Sequence, residues 1–136
     1  METKYNEMHD KMFGDTLQTA SPADLTLMLY EGCIKFLNQA IVAMEKKDYM
    51  RSNQVILRVE DILREFQMTL DFQYALSQEL YDLYDYMHGR LVEGNMTQNV
   101  EIIEEVLGMF REFRDTWKEA MKLAKDEAKM EAKAKK

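Results

Sequence analysis

The stretch from Leu17 to Leu37, LQTASPADLTLMLYEGCIKFL, contains the only proline of the chain, and that proline sits where a helix begins. A hydroxyl at Ser21 can accept from a first-turn amide, Pro22 fits the first helical position without wasting a donor, and Asp24 faces the positive end of the peptide dipoles. A helix is therefore expected from Pro22. At about 100° per residue, Leu25, Leu29, Tyr30, Cys33, Ile34, Phe36, Leu37, Ala40, Ile41 and Met44 sweep an arc of roughly 180°, wider than the ~100° stripe that faces one core. Leu27 falls just past one edge of that arc and Met28 lies on its polar side, which gives this helix more apolar surface than a bundle corner requires.

The rest of the chain has few places to turn. One Pro and five Gly in 136 residues, with Ala, Leu, Met, Glu and Lys abundant, favour a single all-helical domain. The first long helix is expected to run from Pro22 to about Lys46, and Asp48 caps a second from Tyr49 to about Leu70 with a core stripe of Val55, Ile56, Val59, Ile62, Leu63, Phe66 and Leu70. A break of period over 71–77 offers Ser77 as the cap of a third helix over Gln78 to Glu93, with Leu80, Leu83, Tyr84, Met87 and Leu91 on its core face. Gly94 and Asn95 read as its stop. Thr97 or Asn99 caps a fourth helix whose inner face is Ile102, Ile103, Val106, Met109, Phe110, Phe113, Trp117, Ala120 and Met121, with Leu107 at the margin. Gly89 and Gly108 fall inside helices, where close helix approach or room for a ligand would explain them.

These elements predict an antiparallel, up-and-down four-helix bundle over residues 19–124. A short N-terminal helical segment over residues 1–18 precedes it, with Tyr5, Met8, Met12, Phe13 and Leu17 on one side. A charged extension over residues 125–136 follows as a fraying continuation of the last helix.

Composition excludes several classes of function. The formal net charge is −7, with 25 acidic against 18 basic residues, which opposes nucleic-acid binding. Neither a membrane-spanning run nor a signal peptide is present in the sequence, and the lone Cys33 lies on an apolar helix face, so a reducing cytoplasmic setting is expected. Asp85 and His88 give the spacing of a bundle metal motif once, without the second copy a di-iron site needs, and no phosphate loop or nucleophile motif occurs. The chain reads as a non-enzyme, with no cofactor and no metal.

What remains is apolar surface in excess of one core. Met50, Leu57 and Met68 align outside the core stripe of the second helix. On the third, Tyr81 and Val92 form a flank with His88, and Tyr86 points elsewhere. With Leu27 and Met28, these residues make up the candidate binding surface. Twelve methionines supply unbranched side chains that repack around a partner.

Three blocks, TASPADLTLMLYEGCIKF, LYDLYDYMHGRLVEGN at 80–95 and EFRDTWKE at 112–119, resemble in sequence and order the flagellar export chaperones of the FliS type. The resemblance covers about Leu17 to Glu119 and implies the same bundle fold. It also implies a client, the C-terminal segment of flagellin, kept from polymerising in the cytoplasm before type III export, with the export apparatus and flagellar regulators as further partners. In that family the N-terminal segment can lie over the client surface, so Met8, Met12 and Phe13 are expected to act as a plug. Where the family often has Tyr, this chain has Met12. A second reading spends the same surplus surface on homodimerisation of a helical scaffold or regulator.

Overall fold

The computed structural model describes residues 21–135, which form four helices: α1 Pro22–Glu45, α2 Tyr49–Thr69, α3 Ala75–Thr97 and α4 Val100–Ala134. The N-terminal segment with Tyr5, Met8, Met12, Phe13 and Leu17 lies outside the described residues. Both α1 and α3 pack against α2 and α4, so the helices stand at the corners of a square with α1–α4 and α2–α3 as opposite sides. Two side-chain bonds fix their directions. Ser52 at the start of α2 donates its hydroxyl to Gln98 just after α3 (3.0 Å), and Trp117 Nε1 late in α4 donates to the carbonyl of Ala23 at the start of α1 (2.9 Å). The expected antiparallel up-and-down bundle is what forms.

Local chemistry sets most of the boundaries. Ser21 accepts from the Asp24 amide (3.1 Å) while the Asp24 carboxylate accepts from the Ser21 amide, a reciprocal cap that satisfies two amides otherwise without partners. The capping contact pulls the Asp24 carboxyl below its usual range. Asp48 caps α2 through the Arg51 amide, and Asn99 rather than Thr97 caps α4 through the Glu101 amide.

Three expectations about α3 need correction. It starts at Ala75, with Tyr74 in the cap position making no side-chain bond, and Ser77 is not a cap: its buried hydroxyl donates to the carbonyl of Asp71, closing the preceding turn from inside the helix. Gly94 and Asn95 do not stop the helix, which runs on to Thr97 and ends at a left-handed Gln98 (φ 50°). That conformation is held by the Gln98 amide, which donates to the Asn95 carbonyl (2.7 Å) and accepts from Ser52. Glycine at 94 serves another purpose, close helix approach, since a Cβ there would stand 2.7 Å from Ile103 Cδ1 and 3.0 Å from Ile102 Cγ2 of α4, which would have to shift. By contrast, a Cβ at Gly89 or Gly108 would meet nothing within 4 Å, so close approach does not explain those two.

The core follows the expected stripes, with Leu29, Tyr30, Cys33, Leu37, Ile56, Val59, Leu63, Met87, Leu91, Ile103, Val106 and Phe110 among its buried side chains. Burial pushes the Cys33 thiol up, which keeps it protonated and inert. Leu83 departs from expectation: it is 40% exposed, because the buried line of α3 is Tyr84, Met87 and Leu91 and Leu83 sits one position to the side. Leu107 is buried rather than marginal, whereas Ala120 is exposed, because α4 outruns the start of α1 just past Trp117.

At that end of the core the hydroxyls of Tyr30 and Tyr84 lie 2.7 Å apart, inside a shell of rings from Phe66, Phe113 and Trp117. Removing the Tyr84 hydroxyl leaves that of Tyr30 without its hydrogen bond in a dry setting. Tyr84→Phe is expected to lower stability by about 1–3 kcal/mol, and Tyr30→Phe to cost less when made in the Tyr84→Phe background than when made alone. Urea unfolding of the two single variants and the double variant measures the coupling, and strict additivity would show that the pair contributes nothing as a pair.

Candidate binding surface

The seam between α2 and α3 is joined on its outer side by polar rungs. Asn95 donates to Asn53 (2.7 Å), His88 meets Glu60 (3.6 Å), Arg64 bonds Asp85 (3.0 Å), and Gln67 donates to the carbonyl of Tyr81 (3.2 Å). The α2 partners advance by seven, four and three residues as the α3 partners retreat by seven, three and four, the register of two antiparallel helices. That register sets Leu57 opposite Val92, between the asparagine rung and the Glu60–His88 rung. An apolar rung in a polar ladder is where the seam can accept an apolar side chain without undoing its own bonds.

Around that rung the exposed apolar residues collect. Leu57 is 46% exposed, Met68 53% and Met50 75%, all on the outer side of α2. Tyr81 keeps 37% exposure against Phe72, whose ring centre is 5.9 Å away, and Val92 is half-buried. Five of the eight residues expected from the helical wheel, namely Met50, Leu57, Met68, Tyr81 and Val92, thus share one face of the bundle. The other three do not. Tyr86 is on the opposite flank of α3, donating its hydroxyl to Glu105 of α4 (2.6 Å), and Leu27 and Met28 are half-buried in the first turns of α1.

Sequence reasoning missed Phe72, Tyr74, Leu76 and Met96, all more than half exposed. Phe72 and Tyr74 sit where the helical period breaks between α2 and α3, Leu76 is the second residue of α3, and apolar residues in and beside a break carry no periodic signal. A run of three of them within five residues, without a core face to serve, was the available cue. A separate concavity of about 650 Å³ lies along the outer side of α1, lined by Ile34 and Val42 and rimmed by charges of both signs, Lys35 and Arg51 against Glu31 and Asp48.

Electrostatics within the seam are uneven. Arg64 can only donate, so its contact to His88 Nδ1 (3.2 Å) places the imidazole proton on Nε2, toward Glu60. Burial, then the Arg64 charge, hold His88 below its ordinary pKa, whereas burial, then Asp61, raise the Glu60 carboxyl, one of whose oxygens is buried without a hydrogen-bond partner. The signs are opposite for stability. Folded Glu60 holds its proton more tightly than the unfolded chain does, so its ionised form weakens the fold once pH rises above the ordinary carboxylate range. Neutral His88 stabilises the fold fully above its ordinary pKa, and that contribution is lost as pH falls below it. Glu60→Gln is therefore expected to raise Tm at pH 8 by roughly 3 °C and to leave it nearly unchanged at about pH 3, where the carboxyl is protonated in both states. An equal rise at both pH values, measured by calorimetry, would show that the buried charge is not the cause.

Comparison with known proteins decides the family. A family model described as flagellar protein FliS matches residues 4–124. This chain belongs to the FliS family. Among its relatives, the flagellar secretion chaperone FliS of Bacillus subtilis is 39% identical over 107 residues, covering 79% of this chain and 80% of the relative. The flagellar secretion chaperone FliS of Escherichia coli is 29% identical over 108 residues, covering 77% and 79%. A crystal structure of a bacterial flagellar chaperone superposes with a TM-score of 0.70 over 90% of this chain and 98% of its own, at 18% identity, which supports the FliS fold alone. Among the described residues, no helix of this FliS-family chain is long and apolar enough to cross a membrane.

Proposed function

We propose that this protein is a cytosolic export chaperone that binds the C-terminal segment of flagellin, prevents its premature polymerisation and keeps it competent for type III flagellar secretion. The observation that carries this reading is the apolar face over the α2–α3 seam in a member of the FliS family whose relatives are flagellar secretion chaperones. Met50, Leu57, Met68, Tyr81 and Val92 offer side chains a client helix can cover, Phe72 extends the face past the end of α2, and no catalytic chemistry is needed. A client folding onto this face loses chain entropy and gains broad apolar contact, which suits a partner that must later be released unfolded. A client touching Leu27, Met28 and Tyr86 as well would have to wrap round the bundle.

Titration calorimetry against the C-terminal segment of flagellin from the same organism, with the mass of the free protein fixed by light scattering, tests this. One-to-one binding with a negative heat-capacity change is expected, because that change reports apolar burial. A stable dimer that binds no flagellin would assign the same face to self-association instead.

A further inference from the structure

On the side of the bundle opposite the α2–α3 seam, α4 continues beyond the start of α1 and presents a line of lysines. Lys118, Lys122, Lys125, Lys129 and Lys133 follow at spacings of four, three, four and four, which holds them within about 80° of one helix face over about 22 Å. Their acidic neighbours Glu119, Glu127 and Glu131 point to other sides of the helix, so charge is segregated rather than mixed. In a chain of net charge −7, this is a local reversal of sign.

The stripe also borders a groove. Trp117 Nε1 donates to the Ala23 carbonyl (2.9 Å) and Lys118 pairs with Glu31 (3.6 Å), and these two contacts seat α4 against α1. Between them and the free end of α4 lies a cleft of about 490 Å³ whose uncharged lining is Leu27 and Met121, both half-buried, while Lys118, Lys122, Lys125 and Lys129 line it as well. Among the described residues, Asp24 and Asp126 are the acids that line it. Asp24 is engaged by Ser21 in the helix cap and also feels the charge of Lys125, and among the described residues Lys122, Lys125 and Lys129 form no ion pair closer than 4.0 Å.

We propose that this α1–α4 groove docks an acidic amphipathic helical segment of a second protein partner, with apolar side chains seated on Leu27 and Met121 and carboxylates against the lysine line. Charge complementarity selects this occupant. An apolar lining bordered by lysines matches a helix with Leu or Met at three- and four-residue spacing and Glu or Asp beside them. Anionic membrane is the poorer match, because the extension has Glu127 and Glu131 where an inserting helix needs an apolar face. RNA is disfavoured by the acidic body of the bundle. The site stands on the far side from the flagellin surface proposed above and can be occupied together with it.

The lone tryptophan, Trp117, immediately precedes the groove-lining Lys118 and supplies the readout. The full-length protein is titrated with a synthetic 18-residue peptide of leucine at helical spacing and glutamate elsewhere, followed by Trp117 emission and calorimetry. Saturable one-to-one binding is expected, weakening roughly tenfold between 50 and 300 mM salt. The charge-reversed variant Lys122→Glu/Lys125→Glu/Lys129→Glu is expected to bind roughly thirtyfold more weakly with unchanged helical content, since all three side chains are exposed. Met121→Ser should weaken binding without altering its salt dependence, and Leu57→Asp should leave it intact, which separates this site from the flagellin face. The proposal is overturned by absence of binding, by equal binding of the charge-reversed variant or of the same peptide with lysine for glutamate, or by loss of peptide to competing phosphatidylglycerol vesicles or polyuridine that themselves bind the lysine line.

Discussion

Phe110→Ala is expected to destabilise the protein by about 4 kcal/mol, the largest loss that any single core truncation should produce here. Phe110 has no exposed surface and stands in the middle of the inner face of α4, with its ring centre 6.4 Å from that of Tyr30 on α1. Deleting the ring removes its transfer free energy and leaves a void. The neighbours are poorly placed to close it: Ile103, Val106 and Phe110 belong to the part of α4 before Trp117 that is held against α1 and α3, and Tyr30 is tied to Tyr84. The cost should therefore stay near the upper part of the range for such changes. In a domain whose total stability is on the order of 10 kcal/mol, that brings the midpoint of urea unfolding down by a third or more. A loss under about 1.5 kcal/mol would mean that the core collapses round the gap, and that the tyrosine pair does not hold α1 in place.

Leu57→Asp is expected to lower affinity for the flagellin segment about 100-fold while leaving the fold intact. Leu57 is half in solvent, so a carboxylate there stays hydrated in the free protein and far-ultraviolet dichroism should not change. In the complex the same carboxylate would be covered by client side chains opposite Val92, with Glu60 along the same helix face and no cation aimed at it. An unpaired charge buried at the centre of an apolar contact costs far more than the leucine contributes alone, so Leu57→Ala should cost only about tenfold. The ratio between the two variants is the informative quantity. If the aspartate and alanine variants bind equally well, Leu57 lies at the wet rim, and if neither differs from the parent, the client does not use the α2–α3 face.

Much of the fold was legible because its determinants are local. Ser21, Pro22 and Asp24 announce α1 within four residues, Asp48 and Asn99 announce α2 and α4, and the core stripes repeat at the helical period along each helix. The start of α3 differs from the sequence expectation because it lacks a capping side chain, so the sequence carries no mark at Ala75. The glycine at 94 reads as a stop because glycine at a helix end usually serves left-handed backbone; its use here, to admit Ile102 and Ile103 of a different helix, is a contact between elements that no local pattern encodes.

The candidate surface divides in the same way. A helical wheel finds that Met50, Leu57 and Met68 share a side of α2 and that Tyr81 and Val92 share a side of α3, because side-chain direction within one helix depends only on spacing. The family membership of the chain was likewise carried by sequence, through TASPADLTLMLYEGCIKF and the two blocks that follow it. Local patterning along the chain settles the helices, their apolar faces and the excess of apolar surface. That two of those sides adjoin, that Tyr86 faces α4 instead, and that the lysines of the last helix border Leu27 emerge from the packed bundle. Those outcomes depend on the rotation and register of each helix against its neighbours, which are set by the packing of all four faces together.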